Sequence, residues 1–68
     1  METVHNVVQE FRTRTTTTQE DLAERVGVSS QTIISIEKGN YTPSVLLAIK
    51  LAKVFKTNVE SLFILKKH

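Results

Sequence analysis

An all-α fold of five short helices in one domain, residues 1–68, is what this sequence predicts, and three observations carry the expectation. Apolar residues recur at steps of three and four, the period of a helix with one buried face. Thr18, Ser29 and Asn58, residues whose side chains cap helix starts, stand just ahead of such segments. Gly27, Gly39 and Pro43 fall between them, where a helix has to stop or restart. A chain of 68 residues has room for one core, because small folds hide only roughly 60% of the surface that their unfolded chains expose.

Val4, Val7, Val8 and Phe11 share one helical face, so residues 3–14 read as an amphipathic first helix. The threonine run 15–18 stops it, since β-branched side chains lose freedom in a helix, and Thr18 can turn its hydroxyl back to cap the next helix. Asp21 three residues on completes a pattern close to a capping box. The second helix, Gln19–Val26, buries Leu22, Ala23 and Val26. Gly27 fits a left-handed helix-ending position, and Ser29 caps a third helix over 30–38. Gly39 and Asn40 end that helix, Pro43 suits the first turn of a fourth over 43–56, and Asn58 caps a short fifth over 59–65.

Composition narrows the function. No cysteine is available for a disulfide or a thiolate metal site, and the two histidines, His5 and His68, stand at opposite ends, His5 as a solvent-facing helix residue and His68 as a terminal one. No apolar run approaches the ~20 residues of a membrane span, and the start lacks the basic-then-apolar pattern of a signal peptide, so a cytoplasmic protein is expected. The net charge of +2 is unevenly spread: residues 1–37 carry three arginines against six acids, and residues 38–68 carry six lysines against Glu60 alone. On charge alone this is either a solvated basic face or the footprint of a nucleic acid.

One window decides more. A small residue, Ala23, lets a following helix cross closely; Gly27 tolerates a positive φ in the turn; and Ile33 and Ile36, three apart, give the next helix an inner apolar side. Together, within about residues 19–38, these are the requirements of a helix-turn-helix. At about 100° per residue, Ile33, Ile36 and Glu37 gather on one side of the third helix, with Gln31, Ile34 and Ser35 opposite and Ser30 and Thr32 flanking. That outer face is short, uncharged and hydrogen-bonding, which suits the ~12 Å major groove, where Gln pairs bidentately with adenine and a methyl-bearing side chain packs on thymine. Gln19, at a helix start, stands where backbone N–H groups favour a phosphate.

The segments Thr18-Gln19-Glu20-Asp21-Leu22-Ala23, Val26-Gly27-Val28-Ser29, Thr32-Ile33, Ile36-Glu37-Lys38-Gly39, Pro43-Ser44 and Leu62-Phe63 resemble the Xre family of Cro and phage-repressor-type helix-turn-helix domains, over residues 4–63. The resemblance implies a compact five-helix, lambda-repressor-like domain that dimerises and puts its third helix into the major groove. It implies base reading by Ser30, Gln31 and Ser35. Ile34 is either a thymine contact or simple surface. Thr32, Lys38 and Asn40 are implied near the phosphate backbone, with Thr42 adding a hydroxyl, and Gln19 as a bridge between a phosphate and the recognition helix. An arginine late in the first helix, Arg12, is implied to pair with Glu37, and Arg12 can also approach a phosphate. Two departures stand out: Thr16-Thr17 and Lys56-Thr57 replace the Gly-Leu and Gly-Val usual in the family, leaving both connections free to differ in shape.

The dimer is expected through the C-terminal segment 58–68. On a helical fifth element Ile64 points away from Val59, Leu62 and Phe63, so Ile64, Leu65 and, on the fourth helix, Leu46 are the expected seam; the alternative is a frayed C-terminus. The partners expected are thus double-stranded DNA and a second copy of the chain, with no membrane, small-molecule ligand, cofactor or metal. An enzyme is not expected, because the acids are scattered on helical surfaces and neither histidine has a titratable partner. The function expected is a repressor acting by occlusion at a palindromic operator. The alternatives are an antitoxin-like autoregulator or a protein–protein adaptor that keeps the fold without DNA binding.

Overall fold

A computed structural model describes residues 2–67 of the chain; Met1 and His68 lie outside the described residues. In order the elements are β1 (Glu2–Asn6), α1 (Val8–Arg14), α2 (Gln19–Val26), α3 (Ser30–Glu37), α4 (Val45–Val54), α5 (Val59–Leu62) and β2 (Phe63–Lys67). The five helices are as expected in number and order, but the fold is not all-α. Its two ends pair as an antiparallel ribbon, with Val4 opposite Leu65, His5 opposite Ile64 and Asn6 opposite Phe63.

The ribbon takes the first third of the expected first helix and the last part of the expected fifth. Val4 sits at helical spacing from Val7 and Val8, and Ile64 and Leu65 continue an apolar run, so local pattern favours helix at both places. Yet a seven-residue and a four-residue helix have little stability of their own, and their form is set by what they pack on. Bringing the termini together lets Thr3, Val4 and Ile64, good strand formers, satisfy backbone groups across the ribbon and set Val4 against Leu65. His5 is exposed, on a strand rather than a helix.

The caps select the helix starts. The Thr18 hydroxyl accepts from the Asp21 N–H (3.0 Å), Ser29 Oγ from Thr32 N–H (3.3 Å) and Asn58 Oδ1 from Ser61 N–H (2.8 Å). In α4 the cap is Ser44, accepting from Leu47 N–H at 3.2 Å, so the helix starts after Pro43 and not on it. Val8, Leu22, Ile33, Ile36, Leu51 and Leu62 are wholly buried and form one core, which Ala23 of α2 joins. Among the described residues no helix is long and apolar enough to cross a membrane.

Four helices end in the same way. Backbone N–H groups reach back five residues, Thr17 to Arg12 O, Val28 to Ala23 O, Asn40 to Ser35 O and Thr57 to Ala52 O, over 2.9–3.1 Å. The residue before each donor is left-handed: Thr16, Gly27, Gly39 and Lys56, with φ of 54°, 76°, 81° and 54°. The connections that lack glycine therefore keep the glycine-type turn and carry the strain of a Cβ in it, roughly 1–2 kcal/mol for a left-handed residue. Thr16→Gly is expected to raise stability by about 1 kcal/mol and Lys56→Gly by less, since a β-branched residue fits this region worst. Thermal unfolding of the two variants checks this, and a Thr16→Gly protein that melts at or below the parent temperature sinks it.

Candidate nucleic-acid interface

The turn at Gly27 and Val28 sets α3 across α2, with Ile33 and Ile36 inward. Of the expected base readers, Gln31 is exposed, whereas Ser30, Ile34 and Ser35 are half-buried. Ile34 is thus less open than an exposed isoleucine. Gln31, Thr32 and Ser35 form one wall of an open groove of about 560 Å³, and Asn40, Tyr41 and Lys50 contribute to the rest. Lys38 and Thr42 are exposed, but Thr42 borders a different, apolar cleft of about 180 Å³. The expected contact loop therefore divides, with Asn40 lining the groove beside α3 and Thr42 bordering the other cleft.

Behind the helix lies a polar cluster. Arg12 Nε donates to Glu37 Oε2 at 2.7 Å and Nη2 to Oε1 at 3.2 Å, while Nη1 donates to the Thr17 carbonyl at 3.0 Å. Gln19 Nε2 donates to Glu37 Oε1 at 3.0 Å. Side-chain exposure is 12% for Arg12 and 4% for Glu37, so this ion pair is largely out of water. The hydrogen bond to Glu37 raises the Arg12 pKa above the already high guanidinium value, outweighing the opposing effect of burial, with the charges of Glu37 and Glu20 adding to the rise. Because the folded value is raised, deprotonation of Arg12 itself removes this stabilisation only in strong alkali. Arg12 thus places three of its N–H donors on acceptors inside the protein, and Gln19 joins the start of α2 to the end of α3.

The expected seam residues do not all share one surface. Leu46 borders the groove beside α3. Leu65 and Val4, directly paired, lie on one face of the ribbon, and Ile64, next along the strand, lies on the other. The expectation that Ile64 projects from a helix is overturned, since α5 ends at Leu62.

Two residues escaped sequence reading. Tyr41, an aromatic residue directly after the helix-ending Gly39-Asn40, lines the groove, and its position in that loop was the available signal. Asn6 interrupts the apolar pattern of the first segment; its amide donates to the Ile36 carbonyl at 2.7 Å.

Comparison with known proteins agrees with this geometry. Residues 8–62 match the helix-turn-helix family. An HTH-type transcriptional regulator of Archaeoglobus fulgidus is 51% identical over 57 residues, 84% of this chain and 80% of the relative. Another, from Methanocaldococcus jannaschii, is 52% identical over 59 residues, 87% of this chain and 89% of its own length. The regulator YgzD of Bacillus subtilis is 48% identical over 62 residues, 91% and 94% of the two chains.

Proposed function

The chain belongs to the Xre/Cro-like helix-turn-helix family, and from that premise we propose that it is a transcriptional repressor that binds a palindromic operator as a homodimer, with α3 in the major groove. The observation that carries this reading is the outer face of α3. It offers Gln31, Ser30 and Ser35 as hydrogen-bonding groups with Ile34 among them, holds no charge that would fix it to one phosphate, and borders a groove. Base edges are read by such side chains, whereas phosphates position the protein. Gln19, Thr32, Lys38 and Asn40 are the proposed backbone contacts, with Thr42, which borders the other cleft, at the edge of that set. Occupying an operator blocks a promoter without further chemistry, which makes occlusion the mechanism.

A second copy explains the apolar surface left wet. Val45 is 76% exposed and Leu65 61%, and Val45, with Val4 and Phe63, frames the apolar cleft. The proposed seam runs over this face, with Leu46, 65% exposed, at its margin toward α3.

Selection of bound duplexes from random DNA tests the function. The expected result is a two-fold symmetric site with half-sites about 10 bp apart and an affinity that falls steeply with salt. On that site Gln31→Ala should cost about 1–3 kcal/mol and relax preference at one base pair per half-site, while Lys38→Ala weakens all sequences alike. Duplex binding that ignores salt points to the adaptor. A Gln31→Ala protein that loses equally on operator and random DNA removes Gln31 from base reading.

A further inference from the structure

We infer that Asn6, outside the helix-turn-helix, is a positioning residue for sequence-specific binding, tying the terminal ribbon to the far end of the recognition helix. This rests on the DNA-binding reading above. The Asn6 side chain spans a junction. Its Oδ1 accepts from the N–H of Val8, the first residue of α1, at 3.3 Å, and its Nδ2 donates to the carbonyl of Ile36, 30 residues away, at 2.7 Å. Its backbone pairs with Phe63, and the neighbouring Val7 N–H donates to the Leu62 carbonyl at 3.0 Å. One amide thus sits where β1, β2, α1 and α5 meet and reaches into α3.

The acceptor is informative. Ile36 O also receives the N–H of Gly39 at 3.0 Å, in the turn that leads to Asn40. Asn6 therefore holds both the last turn of α3 and the loop beyond it. The next residue, Glu37, is gripped through its side chain by Arg12 and Gln19. At the other end Ser29 caps the first turn. An eight-residue helix has little rigidity alone, and base readers have to be held within about 0.5 Å and 10–20° of their productive geometry. A backbone tether at Ile36 opposes both sliding and rotation of α3, which would move Gln31, Ile34 and Ser35 together. Random duplex, held by phosphate contacts, tolerates such a movement better than base edges do.

Asn6→Asp and Asn6→Ser separate this role from capping of α1. Both keep an oxygen that can accept from Val8 N–H, and neither has a donor that reaches Ile36. Measured at a temperature where circular dichroism shows each variant folded, both are expected to bind the selected operator about tenfold more weakly and random duplex within about twofold of the parent. The Asn6 amide of the intact parent is expected to show scalar coupling across the hydrogen bond to the Ile36 carbonyl carbon, a readout that holds should either variant fold poorly. Equal losses on the two duplexes, unchanged operator binding or an absent coupling overturns the role of Asn6. A parent that binds no duplex overturns the functional reading, and this inference with it.

Discussion

Arg12→Ala is expected to remove most of the stability of this domain, about 3–5 kcal/mol, the cost of leaving a buried charge without its partner. The Glu37 carboxylate is almost wholly out of water and accepts two hydrogen bonds from the guanidinium and one from Gln19. After truncation a neutral amide alone faces the anion, and the Thr17 carbonyl, at the turn strained by Thr16, loses its donor. A chain of this length has roughly 3–10 kcal/mol in total, so the variant should melt at least about 10 °C lower or unfold outright. The double variant Arg12→Met with Glu37→Leu is expected to recover most of the loss, because the desolvation cost leaves with the charges. It should nonetheless bind operator poorly, as Gln19 then has no anchor. Urea and thermal unfolding of the three proteins check this. A single-variant loss below about 1 kcal/mol would mean that water reaches the pair.

Leu65→Lys is expected to give a folded monomer. A lysine there would set like charges against each other across the proposed two-fold axis, beside Val4 and the cleft that Val45 and Phe63 line. Affinity for an isolated half-site should change little, whereas affinity for the palindrome should fall about 10²–10⁴-fold as the linked second site is lost. Ile64→Lys is expected to behave differently. Its side chain is on the other ribbon face, so it should leave the dimer intact, whereas a helical C-terminus would have made Ile64 the more damaging position. Sedimentation of both variants is decisive: if Leu65→Lys stays as dimeric as the parent, the seam lies elsewhere.

The helix-turn-helix is local, and the sequence alone determines it. Gln19–Val26, the glycine turn and the capped start at Ser30 each arise from residues within a few positions of where they act: a hydroxyl reaching an N–H three residues on, a missing Cβ at Gly27, branched side chains one turn apart. The inward direction of Glu37 comes from helical angle alone, and the family resemblance supplies Arg12 as its partner. Gln19 was legible as a helix-start residue that the resemblance links to the third helix, and the structure supplies Glu37 as its partner there. The tertiary structure alone decided the ends of the chain and the links between distant elements. Residues 2–6 and 63–67 carry a pattern that suits a helix, and they become strands because each finds the other some sixty residues away, a partner that no local window contains. The same meeting of the termini moves Ile64 to one face and Leu65 to the other. It also places the Asn6 amide against Ile36. Thr16 and Lys56 show the converse: side-chain preference opposed a left-handed turn at both, and the backbone took it because the helices on either side, locked by the core, leave the chain no other way to turn. Capping and periodicity act over one or two turns of backbone, whereas strand pairing, tethers and strained turns are settled by which distant surfaces the core brings together.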